Sequence, residues 1–449
     1  MEAVTEVVSK ASDYLWNVIL IILLCGTGIY FTIRLKFIQI RKFGEGFKLV
    51  FGNISLKGEK GKNGEMTTFQ SLATAIAAQV GTGNLAGAAT ALIGGGPGAI
   101  FWMWVSAFFG MSTIYAEATL AQQYKVKKDG EVTGGPVYYI RAAFKGTFGK
   151  ALAAIFAILI VLAGNMVQSN SIGAAFSEVF SARNIEIPSI VFGLILAAVI
   201  GFIFLGGVNR LASVVEKIVP IMAGIYIVGS LVLILMNITA LPGAIKMIFV
   251  GAFNPEAVVG AGAGIAVREA IRFGVARGLF SNEAGMGSTP HAHARAKVEN
   301  PHKQGLAAMI SVFIDTFIIL NLTVFSILTT GVLDSGKEGT ALTQAAFTKG
   351  FGNFGDIFVA VCLLFFAFST ILGWHFFGEV NVKYLFGEKA AKFYSILVIG
   401  FVIVGSTLKV QLVWSLSDFF NGLMVIPNAI ALWALSGVVV KICKQYGKK

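Results

Sequence analysis

ATAIAAQVGTGNLAGAATALIGGG, residues Ala73 to Gly96, decides how this chain folds. It sits in a run with no charged residue from Met66 to Ala116, apolar enough to cross a bilayer. Gln79, Gly81, Thr82, Gly83 and Asn84 interrupt it at mid-depth. Each glycine in a helix interior costs roughly 1 kcal/mol relative to alanine. Unwound backbone at membrane depth is tolerated only when buried in protein or lining a wet cavity. The stretch therefore predicts a helix broken near 79–84. Such a break frees N–H groups on one half-helix and C=O groups on the other. The first set suits an anion and the second a cation. An amino acid arriving with a metal cation uses both.

Composition places this stretch in an integral membrane protein. Of 449 residues, 56% are hydrophobic and only 13% charged, against roughly 25% charged in soluble domains. The length accommodates about ten to twelve helices of roughly 20 residues. The 53 glycines fit close approach and bending of membrane helices. The net charge of +12 belongs to basic cytoplasmic loops and predicts no nucleic-acid partner. Cys25, Cys362 and Cys443 are too scattered for a disulfide framework or a metal site. The acidic first 13 residues do not read as a cleaved signal peptide.

Working outward, the first apolar run is Tyr14 to Ile33, followed by Arg34, Lys36, Arg41, Lys42, Lys48, Lys57, Lys60 and Lys62. The positive-inside rule makes that segment cytoplasmic and the N-terminus external. Spans follow at about 66–95, 98–122, 151–179, 188–207, 211–236, 255–286, 304–330, 354–382, 391–407 and 411–440, with a short outside helix at 238–253. Basic loops at 124–150 and 291–303 and the lysine-rich tail then fall inside. The expectation is eleven transmembrane helices in the cell membrane, with the C-terminus cytoplasmic.

The interruption recurs in VVGAGAGIAVREAIRFGVARGLFSNEAGMGS, residues 258–288. We expect that break to centre near 273, within 270–278. Five spans start at each break, and an odd number inverts the second set relative to the first. The chain then divides into an extra N-terminal helix with its basic segment (1–65), a first five-helix repeat (66–240), and a second with the tail (241–449). In transporters of this plan the solute and ions bind between the repeats at the midplane.

Candidate solute contacts are Gln79, Gly81, Thr82, Gly83 and Asn84 at the first break, and Gln168 and Asn170 from the polar cluster Asn165, Gln168, Ser169 and Asn170. A glycine-rich packing face and interhelical hydrogen bonding are the blander alternatives. Ser369 and Thr370, with carbonyls such as those of Ala75 and Ala78, offer hard oxygen ligands of the kind that suit sodium. The competing reading is hydroxyls bonded back to their own helix. Trp374, one turn below Thr370, walls the pocket, Phe273 closes it above a small side chain, and Met309 joins it unless it merely packs. Intramembrane charges at Arg268, Glu269, Arg272, Arg277, Glu283, Glu117, Asp315 and Glu379 are functional candidates by default, though pairing across the two breaks accounts for most of them. The His291/His293 pair lacks acid or thiol partners for a metal. No sequence pattern for an enzyme or an organic cofactor appears.

QVGTGNLAGAATAL (79–92), GGPVYYI (134–140) and RGLFSNEAGMGSTP (277–290) resemble the alanine/glycine:cation symporter family over about 66–440. The resemblance implies a leucine-transporter (LeuT-type) fold: an all-α 5+5 inverted repeat whose first and sixth core helices are discontinuous. It also implies uptake of alanine or glycine coupled to sodium or protons. The absence of a lysine near Ser369/Thr370 favours Na+ as the coupling ion, with the solute, the ion and membrane lipid as partners. An ion channel, or a carrier of another small zwitterion, are the alternatives.

Overall fold

In the computed structural model, residues 2–52, 65–128, 130–163, 165–254 and 267–447 are described. The glycine-rich 258–266 of the second interrupted span, and Lys57, Lys60, Lys62, Lys448 and Lys449, lie outside these residues.

The chain opens with α1 (Glu2–Tyr14), which runs through a wide π turn, Leu15–Ile19, into α2 (Leu20–Arg34). Gly28 lets α2 pack against Phe109, where a Cβ would collide. Trp433 donates to the Thr27 hydroxyl at 2.9 Å. Helix α3 (Thr68–Gln79) begins on a capping box: the Thr67 hydroxyl accepts from Gln70 N–H, and the Gln70 side chain accepts from Thr67 N–H. It ends at Val80 in extended geometry. The chain resumes in a π turn, Gly83–Gly87, and α4 (Ala88–Gly95), bent 44° from α3. The first break is where the sequence predicts it.

Helix α5 (Gly98–Gln123) returns. The basic loop holds an antiparallel hairpin, β1 (Val126–Lys128) with β2 (Glu131–Thr133), in register Val126↔Thr133. Next come α6 (Pro136–Ala143), α7 (Gly146–Ala163), α8 (Met166–Ser181), α9 (Ser189–Phe204), α10 (Gly207–Met236) and α11 (Leu241–Phe253). After α12 (Val267–Asn282) follow α13 (Pro290–Arg295), α14 (Pro301–Val312), a π segment Phe313–Leu320, and α15 (Asn321–Thr330). Helices α16 (Gly339–Phe351), α17 (Gly355–Phe386), α18 (Ala390–Gly405), α19 (Val410–Ala434) and α20 (Ser436–Tyr446) complete the chain.

Among the described residues, six helices are long and apolar enough to cross a membrane, or seven if the bent pair α3–α4 counts as one span. Helices α2, α9 and α18 are apolar but shorter. The expected eleven also requires these three and the span containing α12. Phe202, Leu205, Val228, Leu235, Phe393 and Ile396 are exposed, as lipid-facing side chains are.

The position of the second interruption is corrected. Helix α12 is continuous through 270–278, and the backbone unwinds at 283–289 instead. Gly274 and Gly278 are packing glycines: a Cβ at 274 would strike the Ala99 carbonyl, and one at 278 would press on Met103. The left-handed positions are Glu283 (φ 56°), Gly285 (φ 91°) and Gly287 (φ 85°), a conformation no helix can carry. Short α13 then continues, held by Gln122, whose amide donates to the carbonyls of His293 and Ala296.

The intramembrane arginines also pair differently from expectation. Arg272 meets Glu269 on its own helix and Asp13 of α1. Arg277 meets Asp418 of α19. Glu379 pairs with Lys383 one turn along. None of these pairs links the two breaks. Asp315 does, through neutral donors: Asn84 of the first break at 2.7 Å and Ser281 at the end of α12 at 2.9 Å.

Candidate functional site

The two interruptions lie side by side. Gly83 packs against Ser281 and Phe280, where a Cβ would press on both. Gly81 packs against Thr370 of α17, where a Cβ would collide with the hydroxyl. Gly373 packs closely against Ala78, where a Cβ would be a tight fit. Small residues thus let the broken segment settle between α12 and α17.

The first break is fixed by its own side chains. Asn84 Oδ1 accepts from Gly81 N–H at 2.8 Å, while its amide donates to Asp315. Asn84 and the Gly81 amide are therefore structural, and the Thr82 and Gly83 N–H groups form the first turn of the second half-helix. Amides of a first turn have no intrahelical acceptor. On the other side, Val80 N–H takes the Ile76 carbonyl, so the carbonyls past the end of the helical ladder are those of Ala77, Ala78 and Gln79. Ala75 is corrected on this ground, because its carbonyl lies within α3 and serves the helix.

Both expected cation-binding hydroxyls are there. Thr370 Oγ1 donates to Ala77 O at 3.0 Å and Ser369 Oγ reaches it at 3.5 Å. Each also bonds back to Phe366 O of its own helix. The two readings of this pair coexist: the hydroxyls are satisfied locally and lie against the carbonyl end of the broken helix.

A central pocket of about 10 Å³, enough for roughly one water, lies at this junction. The first break contributes Ala78, Gln79, Gly81, Thr82 and Gly83, and α17 contributes Thr370 and Trp374. Gln168 of α8, Phe280 of α12, Glu283 of the second interruption, and Ser417 and Asn421 of α19 close it. Gln79 Oε1, Thr82 Oγ1 and Gln168 Oε1 are buried without a hydrogen-bond partner. Asn421 Oδ1 is a fourth, and a buried polar atom left unpaired costs about 1–3 kcal/mol, so a solute that supplied donors here would recover that cost.

Three expected contacts lie elsewhere. Asn170 spends its amide on the carbonyls of Gly405 and Leu408, at 2.9 and 2.8 Å, and lines a larger cavity. Phe273 also lines that cavity and sits against Gly94 and Gly95, because the break it was assigned to lies further along. Met309 is buried in α14 and does not reach the pocket. The larger cavity, about 690 Å³, opens on the face carrying the 331–338 loop. Phe280 and Trp414, with ring centroids 4.7 Å apart, and the Arg277–Asp418 pair separate it from the pocket. The sequence reading missed Ser417, Asp418 and Asn421, although SDFFN inside an apolar span was the signal.

The whole chain, residues 1–449, matches the sodium:alanine symporter family. It is 42% identical to the amino-acid carrier protein AlsT of Bacillus subtilis, over 99% of this chain and 92% of that one. It is 41% identical to that organism's probable sodium/glutamine symporter GlnT, over 100% and 92%. It is 40% identical to the sodium/alanine symporter AgcS of Methanococcus maripaludis, over 99% and 97%. Among solved structures it shares its fold with MhsT, crystallised with L-phenylalanine (TM-score 0.57, 14% identity, 87% of this chain and 91% of that one). The broken helices, the pocket between them and these likenesses agree: the chain is a membrane transporter and belongs to the sodium:alanine symporter family.

Proposed function

We propose that the protein imports alanine or glycine together with Na+ by alternating access. The observation that carries this reading is the central pocket, where amides of one half-helix, carbonyls of the other and unpaired side-chain oxygens converge. The solute carboxylate docks at the Thr82 and Gly83 amides. Sodium sits between the Ala77 and Ala78 carbonyls and the Ser369/Thr370 hydroxyls, whose lone pairs turn to the ion as their protons keep the Phe366 bond.

Size favours a small solute. Trp374 and Phe280 wall a space that must swell even to admit alanine, and a glutamine-sized side chain requires far more displacement. In the proposed topology the N-terminus is outside and the C-terminus cytoplasmic, with eleven spans. The segments 66–240 and 241–449 are the inverted repeats, and the helix before them is peripheral. The 690 Å³ cavity is then the external vestibule. The cytoplasmic side is closed where Met66 pairs with Ala296 and Arg295 with Glu131 of the hairpin.

Proteoliposome uptake of a panel of radiolabelled small amino acids, with sodium and pH gradients imposed separately, tests the proposal. Saturable alanine or glycine uptake driven by an inward sodium gradient is expected. Uptake driven by the pH gradient alone would replace sodium with the proton, and Ohmic single-channel currents would overturn the symporter reading.

A further inference from the structure

We infer that Glu283 is the counter-charge for the solute's ammonium, and so the residue that selects an amino acid over its uncharged or anionic analogues. This rests on the proposed function and assigns a role in that same pocket.

Three carboxylates are buried around the two interruptions: Glu117, Glu283 and Asp315. Asp315 is saturated by Asn84, Ser281 and Thr316, and Glu117 accepts from Gly285 N–H and the Asn428 amide. Of the three, only Glu283 lines the pocket. It holds a left-handed backbone conformation (φ 56°) where α12 gives way. Two neutral donors fix its carboxylate: Trp374 Nε1 at 2.8 Å on Oε1 and Ser288 Oγ at 2.5 Å on Oε2. The charged neighbours it feels are Asp315 and Glu117, both acidic. Each carboxylate oxygen has a second lone pair, so the group retains acceptor capacity.

Two unpaired amide oxygens of other pocket residues point the same way. Gln79 Oε1 and Gln168 Oε1 can only accept, and both are more than nine-tenths buried. An ammonium brings three donors and no acceptor. Glu283 and the two amide oxygens supply matching acceptors, one of them charged. Charge balance supports the assignment. A zwitterion with one sodium brings a net charge of +1 into a closed space, where an uncompensated charge is costly. A carboxylate in the pocket wall offsets that charge where it arrives, and of the three Glu283 is the one that lines the pocket.

The test compares L-alanine with L-lactate, which keeps the carboxylate and methyl group and replaces the ammonium by a hydroxyl. Binding of each to the full-length protein is measured in saturating sodium, for the native chain and for Glu283→Gln. The amide is nearly isosteric and still accepts a hydrogen bond, so it removes the charge and little else. In the native protein alanine should bind far more tightly. Glu283→Gln should weaken alanine about tenfold or more while leaving lactate no weaker, so the preference collapses. Alanine affinity within twofold of native in a folded Glu283→Gln protein overturns the inference, as does an unchanged preference. If that variant does not fold, Glu283→Asp decides: a retained preference supports the assignment and a lost one overturns it. A native protein that binds no small amino acid removes the functional reading itself, and this inference with it.

Discussion

Gly81 packs so close to α17 that any Cβ would meet the Thr370 hydroxyl, and two predictions follow from that contact. Gly81→Ala must push the break away from α17, separating the carbonyl end of the broken helix from Ser369 and Thr370. Sodium-driven uptake should be lost in proteoliposomes, while the protein still elutes as a single species in detergent. Thr370→Ala removes one oxygen from the proposed cation site and leaves the Gly81 contact relaxed. Half-maximal sodium should rise roughly tenfold, the ~1.4 kcal/mol of one lost ligand. The order of preference among amino acids should stay as it was. A sodium titration of uptake, repeated for alanine and glycine, checks both statements.

Among the elements, the unwound link between α12 and α13 is the most constrained. Its three left-handed positions cluster within five residues, 283–287. A Cβ at Gly287 would lie 2.8 Å from the Phe156 ring and 3.0 Å from Asn428. A residue with a Cβ held in this conformation costs about 1–3 kcal/mol, which the glycines avoid. Gly287→Ala should therefore lower the midpoint of thermal unfolding and reduce alanine binding together, because the same link carries Glu283 toward the pocket. Gly274 and Gly278 belong to another class. They sit in a continuous helix and bring α12 against α5, and alanine there would separate two helices without touching the unwound link.

Across the whole molecule, alternating access as proposed makes the wide cavity the open side and the Met66–Ala296 junction the closed side. The barrier between vestibule and pocket is thin: the Phe280–Trp414 contact and the Arg277–Asp418 pair. Arg277 stacks over Trp414 at 4.8 Å from the ring centroid, so the ion pair and the Phe280–Trp414 contact are packed against each other. If alternating access parts α12 from α19 here, tying them together must stop it. Replacing both Arg277 and Asp418 by cysteine and bridging them with a bis-methanethiosulfonate cross-linker long enough to span the lost side chains should abolish uptake, and a reductant, which cleaves the mixed disulfides, should restore what the double variant had before. Uptake persisting after quantitative cross-linking would show that this barrier does not open in the cycle.

The sequence by itself determined the membrane class, the first break and the residues around it. Those conclusions need only local physics: an apolar run too long for a soluble core, and glycines and amides where lipid permits no loose backbone. It also determined part of the pocket's polar lining, Gln79, Thr82, Gln168, Thr370 and Trp374, since polar groups at membrane depth require a reason. The tertiary structure alone decided the rest. Glycines that unwind a helix and glycines that let helices touch look alike in sequence, so 274 and 278 could be told from 285 and 287 only by what stands opposite them. Whether Asn170 binds a solute or ties down a neighbouring helix end depends on carbonyls more than 230 positions away. The role of Glu283 likewise depends on Trp374 reaching it from another helix, a distance in space that no spacing along the chain encodes.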